Sequence, residues 1–574
     1  MRIRFSLAAV VTALVAALAL PALTHAQQRK LARLSNGAAA TTNRPAPLRA
    51  GRQRAKVATP ASIEQELAEA LSVVQDNHAD GGKLDYNAVF KSSVSGMLHA
   101  LDPHSNYFDP KEWEQFRTEQ RSEYFGIGAT VGDLREGEAV NTYVRATFQN
   151  SPAARAGLRF GDRIVEVNGQ SMRGKPFYEV RDYLRGPRGS VARVTVERLA
   201  TGRAETVEIT RGAVPQPSIP EAYMIRPGVG YVAITGGFNL TTADEFREAL
   251  ANLHAQGMKM LVLDLRGNGG GLVNQAVRVA NTFLQSGQII VSQKGRIRGS
   301  SHSFVADNDR PDQTPLVVLV NRGSASASEI VAGALQDHDR ALVVGETSFG
   351  KGLVQFPFQL EHGSALLLTI AKYYTPSGRL IQRDYSEAGF HEYLDGGRRS
   401  PDAQVARPVP NGPESRTTTG RAVYGGGGIT PDETVRPRLI SPAQQRLMHP
   451  IFAFALELAR ARVGGFEAYQ VQRPISFGHD LRANDFPVTD SLYRAFREFV
   501  AGKPSFKLSP AQLDRQRAFI ERQLRYDLAT AAYGTTTALQ VYNADDPQIA
   551  RAIDLLPRAR DLAQTAWRTR NPSE

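Results

Sequence analysis

The segment from residue 316 to residue 355 constrains the fold of this chain more strongly than any other. It begins with the apolar, β-branched run Leu316–Val320, which is typical of a buried strand. Three serines separated by alanines follow, and Glu329 then opens a stretch with the composition of a helix start. A serine at such a strand-to-helix turn lies near the unpaired N–H groups of the new helix, where an oxyanion would be stabilised. The pattern therefore predicts a nucleophile.

A lysine further along the chain supplies a candidate base for this serine. A second apolar run, Ala341–Val344, indicates another buried strand, and Lys351 follows between two glycines. A lysine beside apolar strands loses hydration, which lowers its pKa and lets it accept a proton at neutral pH. Gln355 lies four residues further on, where its amide could orient the amine. The alternatives are an ordinary Ser/Ala turn and a solvated loop lysine.

Two motifs in this segment resemble those of a known protease family. NRGSASASEIVAGALQD (321–337) and GETSFGKGLVQ (345–355) are similar to motifs of the carboxyl-terminal processing or tail-specific proteases, the serine peptidases of family S41 that carry a PDZ domain. The resemblance implies that Ser326 is the nucleophile, that Lys351 is the general base and that Gln355 positions the lysine. It extends over residues 60–440, so it does not depend on one short motif.

A glycine run after a third buried strand, residues 259–265, contributes to the same site. A glycine run in this position often binds phosphate, but the Lys-Ser/Thr of a P-loop is missing, which argues against nucleotide binding. The run is similar to the D-L-R-x-N-x-G-G element of the family, which implies that the N–H groups of Gly271 and Ala327 form the oxyanion hole. Asp264 and Arg266 are then expected to be buried and hydrogen-bonded around the loop.

Residues 124–212 resemble a PDZ domain. Tyr124, Phe125, Gly126, Ile127 and Gly128 match its carboxylate-binding loop, in which consecutive backbone N–H groups face the C-terminus of a peptide. SPAARAGL (151–158) and GDRIVEVNG (161–169) are further matches. The resemblance implies that substrates are selected by their free, unstructured C-termini and bind as an added strand.

An LRGPRG motif near the end of this domain is also shared with the family. We hypothesise that Arg185 in this motif couples occupancy of the PDZ domain to the protease core. The alternative is a surface arginine that fixes a turn.

The beginning of the chain predicts export from the cytoplasm. Residues 1–26 combine two arginines, an apolar run and a small-residue ending, which is typical of a cleaved signal peptide; an uncleaved membrane anchor is the alternative. The composition of residues 27–60 predicts a disordered basic tail. This tail is either a solvated linker or a segment that touches an anionic membrane surface. We expect a periplasmic or secreted protein.

Net charge does not indicate a nucleic-acid partner. The chain has a formal charge of +12, but residues 1–60 contain ten basic and no acidic side chains, which leaves only +2 for the remainder. The folded part is therefore nearly neutral, and we expect no binding to nucleic acid. The chain has no cysteine, and the family resemblance implies no metal and no cofactor.

The predicted fold is α/β and multidomain. A layered core of the ClpP/crotonase type, implied by the resemblance, spans residues 213–440 and carries the PDZ domain as an insertion. Helical regions are expected at 61–123, where Ser62 and Gln65 are spaced as a capping box, and at 441–574. Residues 384–427 form an insertion of unknown role, and the C-terminal helices are expected to dock on the core or to mediate dimerisation.

The sequence thus predicts a secreted, metal-independent serine endopeptidase whose partners are protein or peptide substrates. A homo-oligomer or an adaptor is left open as a further partner. Two other functions were weighed: a catalytically silent PDZ scaffold of the cell envelope, and a carrier of hydrophobic ligands. The complete set of Ser326, Lys351 and Gln355 argues against both.

Overall fold

The structure, a computed structural model, describes residues 59–136, 139–386, 393, 412–471 and 474–572. The predicted signal peptide, almost all of the basic tail and most of the 384–427 insertion lie outside these residues. The chain divides into two compact units, Met1–Ser93 and Val94–Glu574. Within the described part, no helix is both long enough and apolar enough to span a bilayer.

The N-terminal region is helical, as predicted, with helix α1 at Pro60–Asn77 and helix α2 at Tyr86–His99. The predicted capping box was misplaced by three residues. Thr59 is the N-cap and its hydroxyl accepts from the N–H of Ser62, so Ser62 occupies the third helical position. Pro60 explains the shift, because proline is favoured in the first turn of a helix.

The PDZ domain follows a short strand and a helix, and its sheet has the order β3-β4-β5-β7-β8. Strand β6 pairs with β5, and β2 pairs with β9 in a separate ribbon. These elements are β1 Asn106–Phe108, α3 Pro110–Glu119, β2 Glu123–Gly126, β3 Ala129–Glu136, β4 Ala139–Thr147, α4 Pro152–Arg155, β5 Arg163–Val167, β6 Gln170–Ser171, α5 Phe177–Leu184, β7 Val191–Glu197, β8 Ala204–Thr210 and β9 Gly212–Pro215.

The core is built from alternating strands and helices. Its apolar strands are β-branched and bury both faces, as expected for a mainly parallel sheet. The elements are β10 Glu221–Arg226, β11 Val229–Ala233, α6 Thr242–Ala255, β12 Met260–Asp264, α7 Val273–Asn281, β13 Ile289–Gly295, β14 His302–Val305, β15 Leu316–Val320, α8 Ala327–Asp337, β16 Leu342–Gly345, β17 Leu353–Gln359, β18 Ala365–Tyr374, β19 Glu414–Arg416, β20 Ala422–Tyr424 and β21 Glu433–Thr434.

Two sheets organise this core. The larger has the order β10-β11-β12-β15-β16-β21, and all its pairs are parallel except β10 with β11. Helices α6, α7 and α8 cover one of its faces, and the second sheet, which contains β1, β13, β14, β17 and β18, packs against the same cluster. This is the layered α/β core with a PDZ domain that the sequence predicts.

The described helices of the C-terminal region have two separate attachments. Helix α15 covers the other face of the large sheet, through residues such as Ile549 and Leu556. Helices α10, α11 and α13 share a hydrophobic cluster with Leu134 and Tyr143 of the PDZ domain. The helices are α9 Pro442–Gln445, α10 Met448–Ala459, α11 Asp490–Ala501, α12 Pro510–Arg515, α13 Arg517–Tyr533, α14 Thr535–Asn543 and α15 Pro547–Arg570. Docking on the core is confirmed, and docking on the PDZ domain is an addition to the prediction.

Candidate active site

Ser326 lies at the predicted turn between strand β15 and helix α8. It has φ +56° and ψ −112°, a backbone conformation that only glycine adopts without strain, and the residue is 9% exposed. The neighbouring serines hold this turn on the glycine loop. Ser324 Oγ donates to the carbonyl of Leu265 at 2.8 Å, and Ser328 Oγ donates to the carbonyl of Asn268 at 2.9 Å. Small side chains at 324–328 make this close packing possible.

Glu329 connects the serine turn with the lysine loop. Its carboxylate is fully buried and accepts from the backbone N–H groups of Ser326 at 2.8 Å, Gly350 at 2.7 Å and Lys351 at 2.9 Å. The hydroxyl of Ser348 donates to the same carboxylate at 2.5 Å. Burial raises the pKa of the Glu329 carboxyl, whereas these donors favour its ionised form. One side chain therefore fixes the relative position of the two predicted catalytic residues.

Lys351 lies in surroundings that disfavour a charged amine. Desolvation lowers its pKa from 10.5 to about 8, against the attraction of Glu329 and Asp102. No hydrogen bond joins Lys351 Nζ to Ser326 Oγ in the described part of the chain. The buried hydroxyl of Tyr373 lies 3.0 Å from the carbonyl of Ser326 and 2.5 Å from that of Lys351, and so forms a second connection between the two backbones.

The glycine loop after strand β12 packs directly on the serine turn. The N–H of Phe238 donates to the carbonyl of Gly270, and the N–H of Leu272 donates to the carbonyl of Phe238. The N–H of Gly270 donates to Asn268 Oδ1. Neither Gly271 N–H nor Ala327 N–H has an acceptor among the described residues. An oxyanion hole requires N–H groups that are free to donate, so the oxyanion role of these two residues stays a prediction.

Asp264 is buried beside this loop, as expected, whereas Arg266 is only partly buried. Arg266 donates from Nε and Nη2 to Asp264, and from Nη1 to Asp546 and Gln548 of the C-terminal region at 2.8 Å each. Tyr231 also donates to Asp264 at 2.8 Å. The loop is therefore fixed partly by the N-terminus of helix α15, where Asp546 lies 280 residues from Arg266 in the sequence.

Gln355 lies on strand β17, and its amide donates to Thr369 Oγ1 of strand β18 at 3.3 Å. It has no hydrogen bond with Lys351 in the described part of the chain, so its positioning role stays a prediction. Thr369 N–H donates to Ser105 Oγ, whose hydroxyl donates to Asp102. The loop between helix α2 and strand β1 is thus attached to strand β18.

The predicted carboxylate-binding loop is shorter than the sequence motif. Residues 124–126 belong to strand β2 and pair with strand β9, whereas Ile127 and Gly128 lie outside both strands. The N–H groups of Ile127 and Gly128 have no acceptor among the described residues. These two amides precede β3, an edge strand of the PDZ sheet, whose outer edge has no partner strand within the described ranges. The arrangement suits a peptide that adds to β3 as a further strand.

Arg185 is exposed at the end of helix α5. Its side chain makes no hydrogen bond and no ion pair with any described residue, so its coupling role stays a prediction. The LRGPRG turn is instead fixed by Arg211, which the sequence did not indicate. Arg211 is 5% exposed and donates to the carbonyls of Leu184 and Tyr183.

Sequence reasoning treated Glu329 only as an acid in a first helical turn, and missed the roles of Tyr373 and Arg211. The signal for Glu329 was present, because an acid in a segment that is otherwise apolar needs buried donors. Nothing in the sequence pattern marks Tyr373, since its role depends on which strand lies beside the serine turn. Within the described ranges, no group of three His, Asp or Glu side chains could hold a metal ion.

Comparison with family models finds two matches. Residues 228–388 match the model of peptidase family S41, and residues 145–198 match a model of the PDZ domain. The first match contains the serine turn, the lysine loop and the glycine loop; the second lies within the predicted PDZ domain.

Two curated proteins illustrate the similarity. The chain is 36% identical over 331 residues to the "Carboxy-terminal-processing protease" of Bartonella bacilliformis, covering 57% of this chain and 71% of that protein. It is 34% identical over 302 residues to the "Carboxy-terminal processing protease CtpA" of Bacillus subtilis, covering 52% of this chain and 63% of that protein.

A solved structure, the "Photosystem II D1 C-terminal processing protease", is 32% identical, with 55% of this chain and 89% of that chain covered and a TM-score of 0.32.

Proposed function

The chain belongs to peptidase family S41, and from that premise we propose that it is a serine endopeptidase with a Ser326/Lys351 dyad that acts on proteins presented by their C-terminal ends. The observation that carries the proposal is the shared carboxylate of Glu329. It receives the N–H groups of both Ser326 and Lys351, so a strained serine and a lysine of lowered pKa belong to one rigid unit.

In the proposed reaction, Ser326 Oγ attacks the carbonyl carbon of the scissile peptide bond while its proton passes to the neutral amine of Lys351. The new C–O bond gives a tetrahedral intermediate. The protonated lysine then gives its proton to the leaving amine, the C–N bond breaks, and an acyl-enzyme forms. Water releases the product acid by the same steps in reverse order.

The negative oxygen of the tetrahedral intermediate is placed between the N–H groups of Gly271 and Ala327. Support comes from their free amides and from the N-terminus of helix α8, whose dipole favours negative charge. Because Ser326 Oγ and Lys351 Nζ are not hydrogen-bonded to each other among the described residues, we propose that substrate binding brings the lysine amine to the serine hydroxyl.

Substrate selection is assigned to the PDZ domain. A peptide would pair with strand β3 and place its terminal carboxylate on the N–H groups of Ile127 and Gly128. The C-terminal helices also contribute to selection, because they pack on the PDZ domain and hold it in one position within its unit. Cleavage would then occur upstream of the captured terminus.

We further propose that the protein works in the periplasm or is secreted. The composition of residues 1–26 supports this location, and the absence of cysteine is compatible with it. N-terminal sequencing of the protein from fractionated cells would test it. A mature N-terminus near residue 27 in the soluble extracytoplasmic fraction is expected, whereas an intact N-terminus in the membrane fraction would favour an anchor.

Two partners beyond substrates belong to the same proposal. The basic residues of segment 27–60 suit contact with an anionic membrane surface, with a solvated linker as the alternative. Sedimentation with phosphatidylglycerol vesicles, with and without this segment, separates the two. Analytical ultracentrifugation of the mature chain decides between a monomer and a homo-oligomer.

In the central test, the mature chain, residues 27–574, is incubated with unfolded model proteins that end in apolar residues, in the presence of a chelator. Ser326→Ala and Lys351→Ala forms run in parallel, and circular dichroism confirms that each is folded. We expect cleavage by the parent chain only. Cleavage that survives both substitutions would overturn the assignment of the site, and peptide binding without cleavage by the parent would favour a PDZ scaffold.

A further inference from the structure

Arg383 lies beside the lysine loop but has no role in the proposed dyad. It stands just before the insertion at 384–427, and its backbone N–H donates to the carbonyl of Gly350 at 2.9 Å. Gly350 is the residue before Lys351, so the backbone of Arg383 is attached to the loop that carries the proposed base. The electrostatic influence of both Arg383 and Lys351 reaches His104, which places the three side chains in one neighbourhood.

Two aromatic rings hold the guanidinium group. The guanidinium carbon lies 4.1 Å from the ring centre of Phe349 and 4.9 Å from that of Tyr393. Tyr393 is itself fixed, because its hydroxyl bonds His104 Nε2 at 2.9 Å and accepts from Gln382 Nε2 at 3.0 Å. The two rings are nearly perpendicular to each other, at 88°, so they confine the guanidinium from two sides.

One edge of this guanidinium is buried without a partner. Nε and Nη2 are both shielded from solvent and have no acceptor, and no ion pair involves the residue within the described part of the chain. The nearby carboxylate of Asp102 is already occupied, since it accepts from the N–H groups of His104 and Ser105 and from Ser105 Oγ. Two shielded donors without an acceptor cost stability, and an acceptor that reached both of them would remove that cost.

The shape of the unused edge identifies the ligand. Nε and Nη2 point to the same side and match the two oxygens of one carboxylate. The same edge binds a carboxylate elsewhere in this protein: Arg198 donates from Nε to Glu205 Oε2 at 2.6 Å and from Nη2 to Oε1 at 2.7 Å. A single peptide carbonyl would leave the charge uncompensated.

We propose that Arg383 is a substrate-binding residue whose shielded edge opens on substrate binding and receives a carboxylate of the substrate beside the lysine loop. The proposal rests on the peptidase function proposed above. The carboxylate can come from an Asp or Glu side chain near the scissile bond or from the free C-terminus of a short substrate. In both cases the enzyme would prefer a negative charge at one defined position, a specificity separate from the PDZ domain.

The test uses quenched fluorescent peptides with the full mature chain. A neutral parent peptide is compared with variants that carry Glu or Gln at each position around its cleaved bond, and with free-acid and amidated C-termini. The enzymes are the wild type, Arg383→Met, which keeps the stacking volume without charge, and Arg383→Lys. Arg296→Met, at an exposed arginine, is the matched control. Thermal unfolding checks that each variant is folded.

We expect one carboxylate position to raise kcat/KM about tenfold over its neutral partner in the wild type and in Arg296→Met. Arg383→Met should lose that gain, measured as the ratio of kcat/KM for the charged and the neutral peptide, and Arg383→Lys should keep part of it. A response of the Glu/Gln pairs assigns a side-chain carboxylate, and a response of the acid/amide pair assigns the terminus. No gain at any position, or a gain that persists in Arg383→Met, overturns the proposal.

A second measurement separates this proposal from the peptidase function. Binding of the same peptide pairs is titrated with Ser326→Ala chains, with and without Arg383→Met. If the wild type cleaves none of the peptides, the proposed peptidase function fails, but a carboxylate preference in binding that depends on Arg383 still supports the site. If Arg383→Met changes the relative binding of neither the Glu/Gln pairs nor the acid/amide pair, Arg383 does not bind a carboxylate.

Discussion

The backbone N–H groups of Ser326 and Lys351 donate to the same oxygen, Oε2 of Glu329, at 2.8 and 2.9 Å. The two residues therefore share a fixed point even though their reactive atoms are not hydrogen-bonded to each other. To form the dyad, only the side chains of Ser326 and Lys351 must move, and not the loops that carry them, so less motion is needed.

Glu329→Gln should damage both stability and activity. An amide can accept hydrogen bonds only through its oxygen, so it turns an NH₂ group toward at least one of the donors that meet here. We expect a loss of about 3 kcal/mol in the free energy of unfolding and at least a hundredfold loss in kcat. Denaturant titration and kinetics check this, with the exposed Glu248→Gln as control. An unchanged kcat in a folded Glu329→Gln enzyme would contradict the shared-anchor role.

The pH profile should report Lys351. Desolvation lowers its pKa to about 8, and the amine acts as a base only when neutral. The value of kcat/KM should therefore rise with pH through about 8 and level off above it. His104 cannot produce this limb, because burial and the nearby Lys351 lower its pKa to about 3. A profile controlled by a pKa near 6.5 would argue for a histidine base.

Lys351 also gives a stability prediction of defined sign. Its pKa is lower in the folded chain than the 10.5 of an exposed lysine, so between pH 8 and 10.5 the unfolded state binds more protons. The lysine therefore destabilises the fold most below pH 8, and that cost is relieved as pH rises. Lys351→Met should be more stable than wild type at pH 7, and the difference should shrink toward pH 10 in denaturant titrations.

Ser326→Gly should be more stable than Ser326→Ala, although both are inactive. The φ of +56° strains any residue with a Cβ, and glycine relieves that strain. We expect a difference of about 1 kcal/mol in unfolding free energy. Equal stabilities would mean that the serine turn relaxes in the variants.

Gly270→Ala and Gly269→Ala form a matched pair. A Cβ at Gly270, where φ is +100°, would lie 2.7 Å from Ser326 Cβ and 2.8 Å from the carbonyl of Ala325, whereas a Cβ at Gly269 meets nothing within 4 Å. Gly270→Ala should lose at least a hundredfold in kcat, because it pushes the serine turn away from the glycine loop that carries the Gly271 amide. Gly269→Ala should stay within about threefold of wild type. Similar losses in both would show that loop flexibility, and not the close approach, matters.

Much of the site was predictable because it is local in sequence. The strand, the small-residue turn and the helix start occur within residues 316–335, and each has its own composition. Ser326, Lys351 and the glycine loop then followed from short motifs. The role of Glu329 was less visible, since its three other donors come from residues 348–351, on a loop that only the folded sheet brings to it.

The sequence by itself determined the family, the order of the domains and the candidate nucleophile, base and oxyanion donors, because these depend on local pattern and on motif. Tertiary structure alone decided what surrounds them. It placed the C-terminal helices on both the PDZ domain and the large sheet, connected Arg266 to Asp546, and left one edge of Arg383 buried without a partner. Such contacts join residues far apart in the chain, and their energies depend on burial and geometry, which no local pattern of residues encodes.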